Sequence, residues 1–69
     1  MKTFYILEFT DKRNGCFGKH FYSLKKAQIC LERVAPFYPG RTIEIRKIND
    51  KENTLIEAWQ YNNGLVRIA

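Results

Sequence analysis

The chain is poor in the residues on which most site chemistry depends. It has one histidine, His20, two cysteines, Cys16 and Cys30, and four glycines in 69 residues. It holds no CxxC pair and no Cys/His cluster, so the nitrogen and sulfur ligands of a structural metal site cannot be assembled. Gly15 and Gly18 fall at a hairpin rather than at a strand-to-helix turn, which argues against a phosphate-cradling loop. No apolar run approaches the roughly 18 to 20 residues of a membrane span. Glu8 interrupts the start too early for a signal-peptide core, so a cytoplasmic, reducing setting is expected, with both cysteines as free thiols. Repeats, low-complexity tracts and linkers are also missing. Residues 1–69 are expected to form one small domain.

The scarcity extends to catalysis, which needs a nucleophile beside a base, paired carboxylates or a metal. His20 follows Lys19 and reads as a surface histidine. Glu8, Glu44 and Glu57 are spread over three expected strands and read as cross-strand salt-bridge partners. No catalytic residue, metal site or cofactor is expected, and the chain is read as a binding protein rather than an enzyme.

Aromatic residues are plentiful: five Phe, four Tyr and one Trp supply a large buried area for so small a body. Thr3 to Thr10 is rich in β-favouring residues and reads as a strand. Asp11 to Gly15 reads as a turn, with Asn14-Gly15 able to take positive φ. Phe17 to Tyr22 reads as a second strand, antiparallel to the first. Ser23 is a good helix N-cap. Leu24, Ala27, Leu31 and Val34, widened by Cys30 and Ala35, form an apolar stripe at helical spacing. Pro36 and Pro39-Gly40 end the helix. Arg41 to Asn49, Thr54 to Tyr61 and Leu65 to Ile68 read as three more strands, joined by the polar turn Asp50 to Asn53 and by Asn62-Asn63-Gly64. The expected fold is α+β: an antiparallel sheet of about five strands, in the order β-β-α-β-β-β, with a single helix packed on one face. The other face is left for solvent or a partner.

This layout resembles small phage-encoded anti-CRISPR proteins, above all a type I-F inhibitor with a five-stranded antiparallel sheet and one helix. The matching positions are Met1-Lys2 and Tyr5-Ile6-Leu7 in the first strand, Ser23-Leu24 and Ala27 opening the helix, Gly40-Arg41-Thr42 entering the next strand, and a closing β-hairpin. The resemblance implies a phage or mobile-element inhibitor that binds the Cas7-type backbone of a host CRISPR surveillance complex and blocks target-DNA binding without chemistry. In that family a basic pair just after the helix alanine contributes to nucleic-acid contact. Here Gln28 and Ile29 occupy those positions, and Lys25 and Lys26 precede Ala27 instead.

Charge localises the candidate surface. Net charge is +5. From Lys12 to Leu31 there are five cations, Lys12, Arg13, Lys19, Lys25 and Lys26, and no acid, whereas elsewhere seven cations balance seven acids. Such an excess attracts DNA, RNA or an acidic protein surface; it also serves solubility. Lys25 and Lys26 oppose the helix dipole. Ile29 lies opposite the apolar stripe beside Arg33, as a contact anchor would. On the fourth expected strand, Ile56 and Ala58 are assigned to the helix-covered face. That puts Trp59 and Tyr61 on the open face beside Arg46 or Arg67, an arrangement suited to base stacking or a protein hot spot. A small basic regulator that binds nucleic acid directly is the alternative reading. A homodimer through an exposed edge strand, the second or the fifth, is a third.

Overall fold

The computed structural model describes residues 3–12 and 17–69. Arg13, Cys16 and the Asn14-Gly15 turn lie outside the described residues. The elements are β1 (Phe4–Phe9), α1 (Leu24–Val34), a 3₁₀ turn (Ala35–Phe37), β2 (Thr42–Ile48), β3 (Asn53–Tyr61) and β4 (Leu65–Arg67). The four strands form one antiparallel sheet in the order β1-β2-β3-β4. β1 therefore pairs with β2 across the helical connection, and β2 to β4 follow as a meander.

The expected second strand does not form. Phe21 makes a single antiparallel bridge to Tyr5, with N–H···O distances of 2.7 and 2.9 Å. Two features explain the difference. Gly18 has a φ of +67°, outside the extended region that a ladder needs. The aromatic side chains of the segment are spent on ring contacts: Phe17 packs against Phe9 and Tyr38, with centroids 5.0 and 5.9 Å apart, and His20 stacks on Phe4 at 4.3 Å.

Helix α1 forms where its signals place it. Ser23 is extended, at φ −140° and ψ 134°, and its hydroxyl accepts the Lys26 N–H at 3.5 Å. Pro36 lacks the N–H that a further turn would require. Between β2 and β3, the Asn49 side-chain oxygen accepts the N–H groups of Lys51 and Glu52 at 2.8 and 2.9 Å. The β3–β4 turn places Asn63 at φ 57°, a conformation that Asn tolerates better than most residues.

The core lies between α1 and one face of the sheet. Leu7, Phe9, Ala27, Leu31, Ala35, Ile43 and Ile45 are buried together. Full burial of a side chain such as Leu31 or Ile45 contributes about 1.5–3 kcal/mol. The helix lies over β1 and β2. The neighbouring part of the same face, over β3 and β4, is filled by Trp59, Tyr61 and Leu65, which pack partly buried against the core.

That arrangement corrects the expected face assignment of β3. Trp59 pairs with the buried Ile43, so it shares the core face, and Tyr61, two residues on, shares it too. Ala58 stands opposite Glu44 on the other face. The physical reason is the helix's offset: a helix over β1 and β2 leaves a gap above β3 that the Trp59 and Tyr61 rings, with Leu65, partly fill. A β-bulge separates the two halves of β3, since Ile45 pairs with Glu57 and Arg46 with Leu55, and Ile56 is skipped.

The second face carries a buried ionic group. Glu8 and Glu44 are cross-strand neighbours, only 3% and 5% exposed. Arg46 reaches both, at 3.8 Å to Glu8 and 2.9 Å to Glu44. These two glutamates are salt-bridge partners, as their pattern suggests. Glu57 is not: it turns to the helix side and accepts hydrogen bonds from Gln28 and Trp59.

Candidate binding surface

The outward side of α1 is built by the same periodicity that builds the core. Lys25, Ile29 and Arg33 recur every four residues and so lie along one line of the helix surface. Lys26 sits one turn before Ile29 and adjoins that line. All four are exposed, Ile29 by 41%. Tyr22, just before the cap, is also exposed. No acid occupies the first helical turn, so Lys25 and Lys26 meet the positive end of the helix dipole uncompensated, while Arg33 in the last turn is favourably placed.

Some of the cations are paired with acids and others are not. Three cations on the sheet and its flanks are paired with acids: Arg41 with Asp11 at 2.8 Å, Arg46 with Glu8 and Glu44, and Lys47 with Glu52 at 3.5 Å, whereas, among the described residues, Lys51 in the β2–β3 turn and Arg67 in β4 make no ion pair. The Arg41 hydrogen bond holds the Asp11 carboxyl below its ordinary range. The Thr54 hydroxyl, helped by Lys47 and Asn49, does the same for Glu52. Among the described residues, Lys12, Lys19, Lys25, Lys26 and Arg33 make no ion pair. Four of these unpaired cations, Lys19, Lys25, Lys26 and Arg33, lie on α1 and the segment leading to it, where no ion pair offsets them.

The candidate cations do not form one patch. Lys12 follows Phe9 and bridges back to it. Lys25 and Lys26 open the helix that starts beside the Phe21–Tyr5 bridge, at the other end of β1. Four strand residues separate these ends by roughly 13 Å. Lys19 belongs with the helix start, and Arg13 lies outside the described residues. The surface that the structure assembles is thus the outer face of α1, with Lys12 apart from it.

Trp59 and Tyr61 do not belong to this surface. Their place is beside the helix, where the Trp59 indole N–H donates to Glu57 at 2.7 Å. Arg67 lies 5.9 Å from the Trp59 ring centroid, but Arg46 is on the opposite face. Here the structure forms a cleft of about 230 Å³, lined by Gln28, Leu31, Glu32, Glu57, Trp59 and Leu65. The sequence reading missed it, although Glu57 and Trp59, two apart on a strand, share a face by necessity. What it lacked was which face.

Among the described residues, no three His, Cys, Asp or Glu side chains gather as a metal would need, and no helix is long and apolar enough to cross a membrane. Comparison of the chain with protein-family models, curated proteins and solved structures finds no match.

Proposed function

We propose that this protein is a non-enzymatic binding module whose outer helix face, Lys25, Lys26, Ile29 and Arg33, docks on a polyanion-bearing assembly. We take that assembly to be a host CRISPR surveillance complex with Cas7-type backbone subunits, whose access to target DNA the bound protein blocks. The observation that supports the reading is the run of unpaired cations on one helix: among the described residues, Lys25, Lys26 and Arg33 make no ion pair, whereas Arg41, Arg46 and Lys47 of the sheet and its flanks do. A helix with exposed, unpaired cations around one exposed isoleucine offers electrostatic steering together with an apolar anchor. The choice of a CRISPR complex rests on the resemblance of the chain's layout to small phage inhibitors. Pull-down against purified type I effector complexes, followed by a target-DNA binding assay, tests it. Complex formation that weakens with Ile29→Ala and Lys25→Ala supports the reading; no complex with any subtype removes it.

A second reading, direct nucleic-acid binding, is favoured by the same unpaired cations with Tyr22 exposed beside them. It predicts an affinity for DNA or RNA alone that falls steeply with salt, with a salt slope reduced by about one in Lys25→Ala or Lys26→Ala. Binding that is indifferent to both substitutions rules this surface out.

A further inference from the structure

The cleft beside α1 has the opposite electrostatic character from the helix face. The chain carries a net +5, yet the lining of this cleft holds two carboxylates, Glu57 and Glu32, and no cation. Glu57 is only 5% exposed. Its donors are all neutral: Gln28 Nε2 reaches Oε1 at 3.3 Å and Oε2 at 3.1 Å, and Trp59 Nε1 reaches Oε1 at 2.7 Å. A carboxylate can accept about four hydrogen bonds, so these contacts leave acceptor capacity on Oε2. Buried carboxylates are normally paired with a cation, because neutral hydrogen bonds only partly replace lost hydration.

The rest of the lining has a specific chemistry. Leu31, Leu65 and the Trp59 ring form apolar walls. Glu32 lies one helical turn beyond Gln28, on the same side of α1, and is exposed. A cation entering the cleft thus meets one carboxylate at the solvent side and a second, oriented one deeper in. At about 30 Å³ per water in the liquid, the space is that of roughly seven to eight waters. A guanidinium with a three-methylene stem has about as many heavy atoms. Its planar fork suits two carboxylates and an indole face better than a compact ammonium does. Arg67 lies beside the Trp59 ring, its guanidinium carbon 5.9 Å from the centroid, while its Nε donates to the Ala69 carbonyl at 3.0 Å; it does not line the cleft or reach Glu57.

We propose that the Gln28–Glu57–Trp59 cleft is a binding site for a guanidinium group carried on an aliphatic stem. The group is either an arginine side chain of a peptide or a free alkylguanidine. The site is separate from the helix face and independent of the function proposed above.

Trp59 is the only tryptophan, so its fluorescence reports on the cleft without labelling. Agmatine and an N-acetylated, amidated Gly-Arg-Gly peptide are titrated in low-millimolar amounts at constant ionic strength, with n-butylurea as the uncharged comparison. A saturable response to the guanidines and none to the urea is expected, and the tighter of the two guanidines identifies the source. Glu57→Gln weakens the response by about tenfold or more, the loss of a charge-assisted hydrogen bond. The exposed Glu32→Gln weakens it about two- to threefold, and Arg67→Ala leaves it within about twofold. Should Glu57→Gln not fold, the wild-type NMR signals of Trp59 Nε1–H and the Gln28 amide decide, since a ligand in the cleft must shift both. Equal responses to urea and guanidine, an unshifted Gln28 amide, or a response lost in Arg67→Ala but kept in Glu57→Gln would each overturn the proposal.

Discussion

Gln28 donates its side-chain amide to both carboxylate oxygens of Glu57, joining α1 to β3 at 3.1 and 3.3 Å. One residue further along an α-helix is a rotation of about 100°. Fixing Gln28 against the sheet therefore fixes the roll of the helix, and with it the outward direction of Ile29 and its neighbouring cations. The contact that lines the cleft also sets the orientation of the candidate binding surface.

Removing this contact leaves Glu57 buried with a single donor. Gln28→Ala is expected to lower stability by about 1–3 kcal/mol and to disturb the environment of Trp59. Urea denaturation followed by tryptophan fluorescence measures both, and an unchanged midpoint would contradict this account of the seam.

Lys26 occupies the third position of the helix after the Ser23 cap. Lys26→Glu completes a capping box and replaces a cation with an acid at the positive end of the dipole. Thermal stability is expected to rise, by roughly 0.5 kcal/mol, while affinity for a polyanionic partner falls. If stability and binding instead move together, Lys26 is retained for folding rather than for contact.

Arg46 holds the two buried carboxylates of the second face. Arg46→Met keeps its volume but removes the guanidinium that pairs with Glu8 and Glu44, at a cost on the order of 3 kcal/mol. Arg46→Lys retains the charge without the planar fork and should cost less. Chemical denaturation of the two variants checks this order, and a stable Met variant would show that the ionic group is dispensable.

The pH dependence of the exposed ion pairs has a definite sign. Asp11, lowered chiefly by the Arg41 hydrogen bond, titrates below its ordinary 3.8, and Glu52, lowered chiefly by Thr54, titrates below 4.5. A carboxyl depressed in the folded state favours folding when ionised. Its contribution is present above the ordinary value and is lost as pH falls through the lower folded value. Because both groups are exposed, the effect is small and weakens with salt. Carboxyl-carbon NMR titration is expected to show Asp11 returning toward 3.8 in Arg41→Met, with Glu52 unmoved.

Local signals make the helix and the two C-terminal hairpins legible. Ser23, the stripe from Leu24 to Val34, Pro36, and the Asn-rich turns each act within a few residues. The rest depends on distant partners. Phe17 to Tyr22 has the composition of a strand, but Phe17 and His20 find rings to pack on, and Gly18 leaves the extended conformation. The small size of Ala58 suggests a position under the helix. In the fold the helix is displaced toward β1 and β2, and Ala58 faces Glu44 on the other side, away from the core. Alternation along β3 groups Leu55, Glu57, Trp59 and Tyr61; the last three do share a face, but the bulge at Ile56 turns Leu55 to the other one, and a period of two cannot say which group faces inward. The candidate binding surface was half visible: the charge of Lys25, Lys26 and Arg33 and the exposure of Ile29 follow from periodicity, whereas the separation of Lys12 from them follows only from the path of the chain.

The position of β1 has a consequence for the timing of assembly. β2, β3 and β4 are joined by short turns and can pair while the rest of the chain is still searching. β1 reaches β2 only after the intervening segment and α1 have closed a long loop, whose entropy cost is met before its contacts form. Weakening the Asn49 turn with Asn49→Ala is therefore expected to slow folding, and trimming β1 with Ile6→Val to accelerate unfolding. Stopped-flow chevrons on the two variants separate these limbs; the reverse assignment would mean that the N-terminal strand leads.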